Sequence, residues 1–264
     1  MTTVPAKNGW IWLVQGFALF RRSPAKWLLI VLAYWMAIAL LNQIPVVGAL
    51  AATVLLPAFS VSFMVACDEL AHKRSIGVAT LAAGFRTRLA ALVTMGAIYL
   101  VSILLVLWVS TLADNGTLWR WVISGKAPPE SALRDGSLSS ALLLAAALGT
   151  PVMMAFWFAP VLTAWQAMSA PKALFFSFFA AWRNWRAFLL YGAVLILAGI
   201  GISMLIGVIG ILVAAKVLPS DVLRIAAFLV SLTALPIIFG SFYAGYCDLF
   251  PSAPGAAEPL APVY

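Results

Sequence analysis

Charge is what this sequence has least of. Only 9% of its residues are Asp, Glu, Lys or Arg and 64% are hydrophobic, whereas a soluble domain carries roughly a quarter charged and half apolar residues. Histidine occurs once, at position 72, and cysteine twice, at positions 67 and 247. Two cysteines build no disulfide framework. A Ser-His-Asp arrangement would have to use His72, and no GxSxG elbow accompanies it. No phosphate loop, dinucleotide fingerprint or zinc-protease helix occurs, so no cofactor is implied. The mean hydropathy is +1.07. A soluble fold cannot hide that much apolar surface, but a bilayer accepts it. The apolar runs exceed the roughly 20 residues that cross about 30 Å of hydrocarbon. The sequence therefore predicts an all-α, multi-pass integral membrane protein and argues against an enzyme.

One passage recurs. Phe17 to Leu29 reads FALFRRSPAKWLL, Ala82 to Val93 reads AAGFRTRLAALV, and Phe175 to Tyr191 reads FFSFFAAWRNWRAFLLY. In each, an aromatic residue precedes an Arg, and an Ala follows four positions after that Arg: Phe20-Arg21 and Ala25, Phe85-Arg86 and Ala90, Trp182-Arg183 and Ala187. We read a unit used three times: an interfacial amphipathic helix, a basic elbow, and two spans. The units cover about 9–72, 75–169 and 171–248 within one transmembrane domain over 1–251.

Along the chain, Asn8 is placed to cap a helix over Gly9 to Arg22, which is too short to span. Ser23-Pro24 breaks it. The six spans are expected at about Trp27–Leu41, Val46–Ala66, Leu89–Leu112, Leu138–Gln166, Ala187–Val213 and Val222–Tyr246. Ser75 to Arg88 is the second interfacial segment, and Pro171 opens the third. The one long loop, Ala113 to Ser137, has turn signals at Asp114-Asn115-Gly116 and Pro128-Pro129, with an amphipathic Trp119-Arg120-Trp121 between them. Gly199, Ser203 and Gly207 recur every four residues on span five, a spacing that lets membrane helices approach closely. The Pro/Ala-rich stretch 252–264 is expected to be a disordered cytoplasmic tail.

The net charge of +8 points to anionic lipid headgroups rather than nucleic acid, because the basic residues gather at the elbows. With the N-terminus inside, the inner segments hold eleven basic residues, including Lys7, Lys26, Lys73, Arg74 and Lys172. The outer loops hold five: Arg120, Lys126, Arg134, Lys216 and Arg224. That asymmetry places both termini in the cytoplasm. Arg21, Arg22, Arg86, Arg88, Arg183 and Arg186 are the candidate interfacial lipid contacts. None of the spans carries an ionisable residue at mid-depth, which disfavours a proton-coupled pump.

Each return span has a Pro at similar depth: Pro57, Pro160 and Pro236. These are candidate helix kinks. They would either open an inward-facing vestibule or serve packing alone, and packing is the favoured reading. Cys67-Asp68 and Cys247-Asp248 repeat near the inner ends of spans two and six. Cys67, His72, Cys247 and Asp248 could meet there, but their spacing matches no compact zinc site, and duplication explains the recurrence. Asp68 and Asp248 sit where a helix dipole disfavours negative charge. An elbow Arg, from Arg21, Arg86 or Arg183, could offset it, so the two carboxylates are candidate structural clamps.

GWIWLVQGFALFRRSP and CDELAHKR, with six spans and proline-bearing return spans, resemble a group of uncharacterised bacterial six-span inner-membrane proteins. The resemblance implies localisation and fold, and it carries no functional residues. The leading functional reading is a non-enzymatic scaffold or a partner- or lipid-binding subunit, with a membrane protein as a possible partner. The alternative is a transporter or channel for a small neutral or amphipathic solute.

Overall fold

The computed structural model describes residues 1–125 and 127–251. The tail expected over 252–264 lies outside the described residues, as does Lys126. The described chain is all-α: α1 (Asn8–Arg22), α2 (Pro24–Leu41), α3 (Val47–Ala71), α4 (Leu89–Asp114), α5 (Thr117–Ser124), α6 (Glu130–Arg134), α7 (Ser137–Phe156), α8 (Ala159–Trp165), α9 (Ala170–Arg183), α10 (Trp185–Ala214) and α11 (Ser220–Leu249). Six segments are long and apolar enough to cross a membrane: α2, α3, α4, α7 with α8, α10 and α11. They coincide with the six expected spans to within about five residues at each end.

Local chemistry sets several boundaries. Pro24 opens α2, where its missing N–H has no helical acceptor to lose. Asn115 and Gly116 both adopt left-handed backbone at the expected turn. The Asp114 carboxylate accepts the N–H groups of Gly116 and Leu118, so α5 starts on a satisfied acceptor. Asn8 is not a cap: it is the first residue of α1, and its side chain turns away to α11.

Small residues decide how the helices meet. Without a hydrophobic drive between helices in lipid, close backbone approach and hydrogen bonds carry association. Gly9 of α1 lies against the backbone of Ala187 and Tyr191, and Gly16 against Ile237 and Ser241. α1 therefore runs antiparallel along α11, with Gly9, Trp12, Gly16 and Leu19 buried. Gly96 lets α4 press onto the Val54 carbonyl of α3. Span five differs from expectation. A Cβ at Gly199 or Gly207 would meet nothing within 4 Å, and no part of the apolar window of α10 is buried in the molecule. Its small-residue stripe faces away from every other helix of the chain.

The segment 75–88 also departs from expectation. It forms only a five-residue 3₁₀ turn, Val78–Ala82, rather than an amphipathic α-helix. Its geometry comes from docking: Gly84 packs on the Ala58 carbonyl, where any side chain would collide. Ser62 Oγ donates to the Leu81 carbonyl at 2.7 Å and accepts the Gly84 N–H at 2.9 Å.

The prolines do not act alike. α3 and α11 remain continuous helices through Pro57 and Pro236. The fourth span breaks at Trp157-Phe158, just before Pro160. Ser177 of α9 enters that break. Its Oγ donates to the Met154 carbonyl at 2.8 Å and accepts the Phe158 N–H at 2.9 Å. Those are the two groups that an unbroken helix would have joined directly.

One relation recurs around the molecule. The segment leading into each unit seats on a return span of another: 78–84 on α3, α9 on the α7–α8 break, and α1 on α11. The last of these closes a ring. The Thr2 N–H donates to the Leu249 carbonyl at 3.0 Å, so the two described ends lie together.

Candidate functional site

Two apolar spaces share a wall. The first is a cavity of about 220 Å³ among α2, α3, α4, α8 and α11, at the level of Pro57 and Pro160. Its lining is largely aromatic. Tyr34 meets Phe59 and Phe63 edge-on at 5.0 and 5.3 Å. Phe63 stacks on Phe239 at 4.6 Å, and Trp157 meets Phe242 at 4.5 Å. Such rings pack by edge-to-face and offset contact rather than by charge.

The second is a lateral groove of about 610 Å³ between α7 and α10, floored by Ala181 of α9. Gly149, Thr150, Met153, Met154 and Trp157 form one wall, and Trp185, Phe188, Leu189, Gly192 and Leu195 the other. Met153 and Trp157 line both spaces. No charged side chain lines either one. The two hydroxyls of the groove are already engaged: Thr150 Oγ1 donates to Ala146, and Tyr191 Oη pairs with Ser241 Oγ at 2.8 Å. Gly149 and Gly192 leave the groove wide, since neither has a side chain and a Cβ on either meets nothing within 4 Å. A long apolar or thinly polar molecule fits this lining, whereas an ion would lose its hydration unrepaid.

A polar hollow of about 500 Å³ lies at the first elbow, bounded by Arg22, Ser23, Lys26, Lys73, Arg74 and Ser75. Arg22 Nη1 donates to the carbonyls of Leu70 and Ala71, at 2.7 and 3.2 Å. Both carbonyls lie at the end of α3, where that of Leu70 also accepts the Lys73 N–H. The hydrogen bond that Arg74 Nε donates to the Glu69 carboxylate pushes the guanidinium pKa above its ordinary value.

The other expected residues are spread out. All six elbow arginines are exposed. Arg21 rests over Phe17 at 5.8 Å, and Arg186 over Trp185 at 5.4 Å. Arg88 takes left-handed backbone immediately before α4.

None of the elbow arginines is the partner of Asp68 or Asp248, so that expectation is corrected. Asp248 Oδ2 accepts Asn8 Nδ2 at 2.8 Å and Trp12 Nε1 at 2.7 Å, both from α1. Asp68 accepts Tyr243 Oη of α11 at 3.0 Å and pairs with Arg74 from its own loop at 2.9 Å. Neutral donors on packed helices reach both carboxylates, and the cation beside Asp68 is Arg74 rather than an elbow arginine. Neither cysteine is in a disulfide. Among the described residues, no three His, Cys, Asp or Glu side chains converge to hold a metal.

Sequence reasoning missed Asn184. Buried between two exposed neighbours, it accepts the Val4 N–H at 2.8 Å and donates to the carbonyls of Thr2 and Ala180. It ties the N-terminal strap to the third elbow. An Asn in a WRNWR elbow reads as a solvated turn residue, and only the three-dimensional closure reveals its partners.

A protein named probable inner membrane protein, from Burkholderia thailandensis, is 35% identical over 266 residues, an alignment covering 98% of this chain and 95% of the relative. No protein-family profile matches the chain, and no solved structure matches it significantly.

Proposed function

The chain belongs to one family with that Burkholderia protein, and on this premise we propose that it is a multi-pass inner-membrane protein, non-enzymatic, that holds the apolar tail of a lipid or other amphiphile in its lateral groove. The observation that carries this reading is the groove itself: about 610 Å³, uncharged, and flanked by lipid-facing side chains such as Leu189 and Met153. A space of that size falls within the range of small-molecule sites. The basic elbows and the adjoining ends of the described residues support an orientation with both termini cytoplasmic. The recurring seat of each leading segment on a return span supports the reading of three tandem units.

The test begins with the protein in native-lipid nanodiscs and mass spectrometry of everything bound. A stoichiometric lipid or amphiphile is expected. Gly149→Leu and Gly192→Leu, at positions where a Cβ meets nothing within 4 Å, should remove it, while Gly199→Leu, equally open but outside the groove, should not. Retention that is indifferent to the two groove variants would end this reading. A stoichiometric protein partner in place of the amphiphile would favour the scaffold reading.

One observation favours transport as a second reading. Met153 and Trp157 separate the groove from the aromatic cavity, so movement of those two side chains would connect the bilayer side with the centre. Entry of a neutral solute into sealed vesicles, blocked by Gly149→Leu, would establish it.

A further inference from the structure

The first elbow carries a separate site. Arg22, Lys26, Lys73 and Arg74 converge on the hollow of about 500 Å³. Asp68 and Glu69 are both engaged by Arg74, so four cations against two carboxylates leave two positive charges. Three of the cations are held rather than loose. The carbonyls at the end of α3 fix Arg22, and Lys26 Nζ donates to Ser75 Oγ at 2.6 Å. Of Lys73 the backbone alone is fixed, at φ 58° with its N–H on the Leu70 carbonyl. The α2 helix begins inside the hollow. Pro24 brings no N–H and Trp27 donates to the Ser23 carbonyl, which leaves the Ala25 and Lys26 N–H groups of the first turn without an intrahelical acceptor, and the helix dipole favours an anion there. The hydroxyls of Ser23 and Ser75 stand on the same rim.

We propose that this hollow binds a phosphate group. Two excess positive charges, hydroxyl donors and a helix start match the roughly −1.5 to −2 charge and the acceptor oxygens of a phosphomonoester, and they also accommodate a singly charged diester. The hollow adjoins the start of the first span, so the phosphate comes either from an anionic lipid headgroup or from free phosphate at the membrane surface. The site stands apart from the lateral groove and shares no residue with it.

The test uses the full chain in phosphatidylcholine nanodiscs, with and without phosphatidylglycerol, and counts retained anionic lipid by native mass spectrometry. Lys26→Gln/Lys73→Gln changes only exposed side chains and should weaken retention at least about tenfold, because two cations of the hollow lose their charge-assisted contacts to the phosphate. Lys7→Gln/Lys172→Gln removes the same charge from exposed positions outside the hollow and should leave retention near the wild-type level. Inorganic phosphate is then added to phosphatidylcholine-only discs. A rise in melting temperature for the wild type, absent in Lys26→Gln/Lys73→Gln, identifies free phosphate as the ligand. Selective phosphatidylglycerol retention without that rise identifies the headgroup. The proposal is overturned if the two double variants lose lipid equally, or if wild type and Lys26→Gln/Lys73→Gln respond alike to both probes. Because the groove variants leave these residues intact, failure here and failure of the groove reading are separate results.

Discussion

Asp248 shows how much one side chain joins at the residue scale. It accepts hydrogen bonds from donors 236 and 240 residues away in sequence, and its own carbonyl accepts the Thr2 hydroxyl. Hydrogen bonds to a charged acceptor contribute more than neutral ones, and losing the acceptor strands Trp12 Nε1 in a packed interface. Asp248→Leu should therefore destabilise the protein by about 2 kcal/mol, read as a lower thermal midpoint in detergent. Asp68→Asn should cost less, because its Arg74 partner is half-exposed and solvent screens the pair. Equal midpoints for Asp248→Leu and wild type would refute the role given to Asp248. The sequence made both carboxylates conspicuous through the repeated Cys-Asp pair. It could not name their partners, because a neutral Asn or Trp donor leaves no charge pattern to read.

At the scale of elements, the spans were legible and the contacts between them were not. Apolar length alone marks a span, whereas a glycine looks the same whether a neighbour touches it or lipid does. Gly16 and Gly207 make the contrast testable. A Cβ at Gly16 strikes the backbone of Ile237 and Ser241, which cannot swing aside, while one at Gly207 meets open space. Gly16→Ala should therefore force α1 off α11 and cost more than about 2 kcal/mol, as overpacking does. Gly207→Ala should raise stability by up to about 1 kcal/mol through helix propensity. Thermal midpoints in the same detergent decide it, and the contact is wrongly drawn if Gly16→Ala is neutral. The segment 75–88 was misread for a related reason. Its aromatic-Arg opening matches the other two elbows, but its shape follows from the Ser62 and Gly84 contacts to α3, which no local periodicity records.

At the scale of the whole molecule, six spans could have formed an open row, and the repeat alone did not say otherwise. The seat of α1 on α11 turns the row into a ring and brings the ends together. Thr2→Cys with Pro251→Cys, in a background of Cys67→Ala and Cys247→Ala, should give an intramolecular cross-link with a short bis-maleimide in intact membranes. Monomer that migrates unchanged after that treatment would contradict the closure.

The same seat imposes an order in time. Asn8 and its acceptor Asp248 are separated by 240 residues, and a ribosome adding roughly 5–20 residues per second needs about 12–50 seconds to travel between them. Throughout that interval α1 has been made but lacks its seat on α11, and Gly16, which will press on that helix, is bare. The first helix synthesised is the last to be secured. A chain cut short anywhere before α11 therefore leaves Asn8, Trp12 and Gly16 without the helix they seat against.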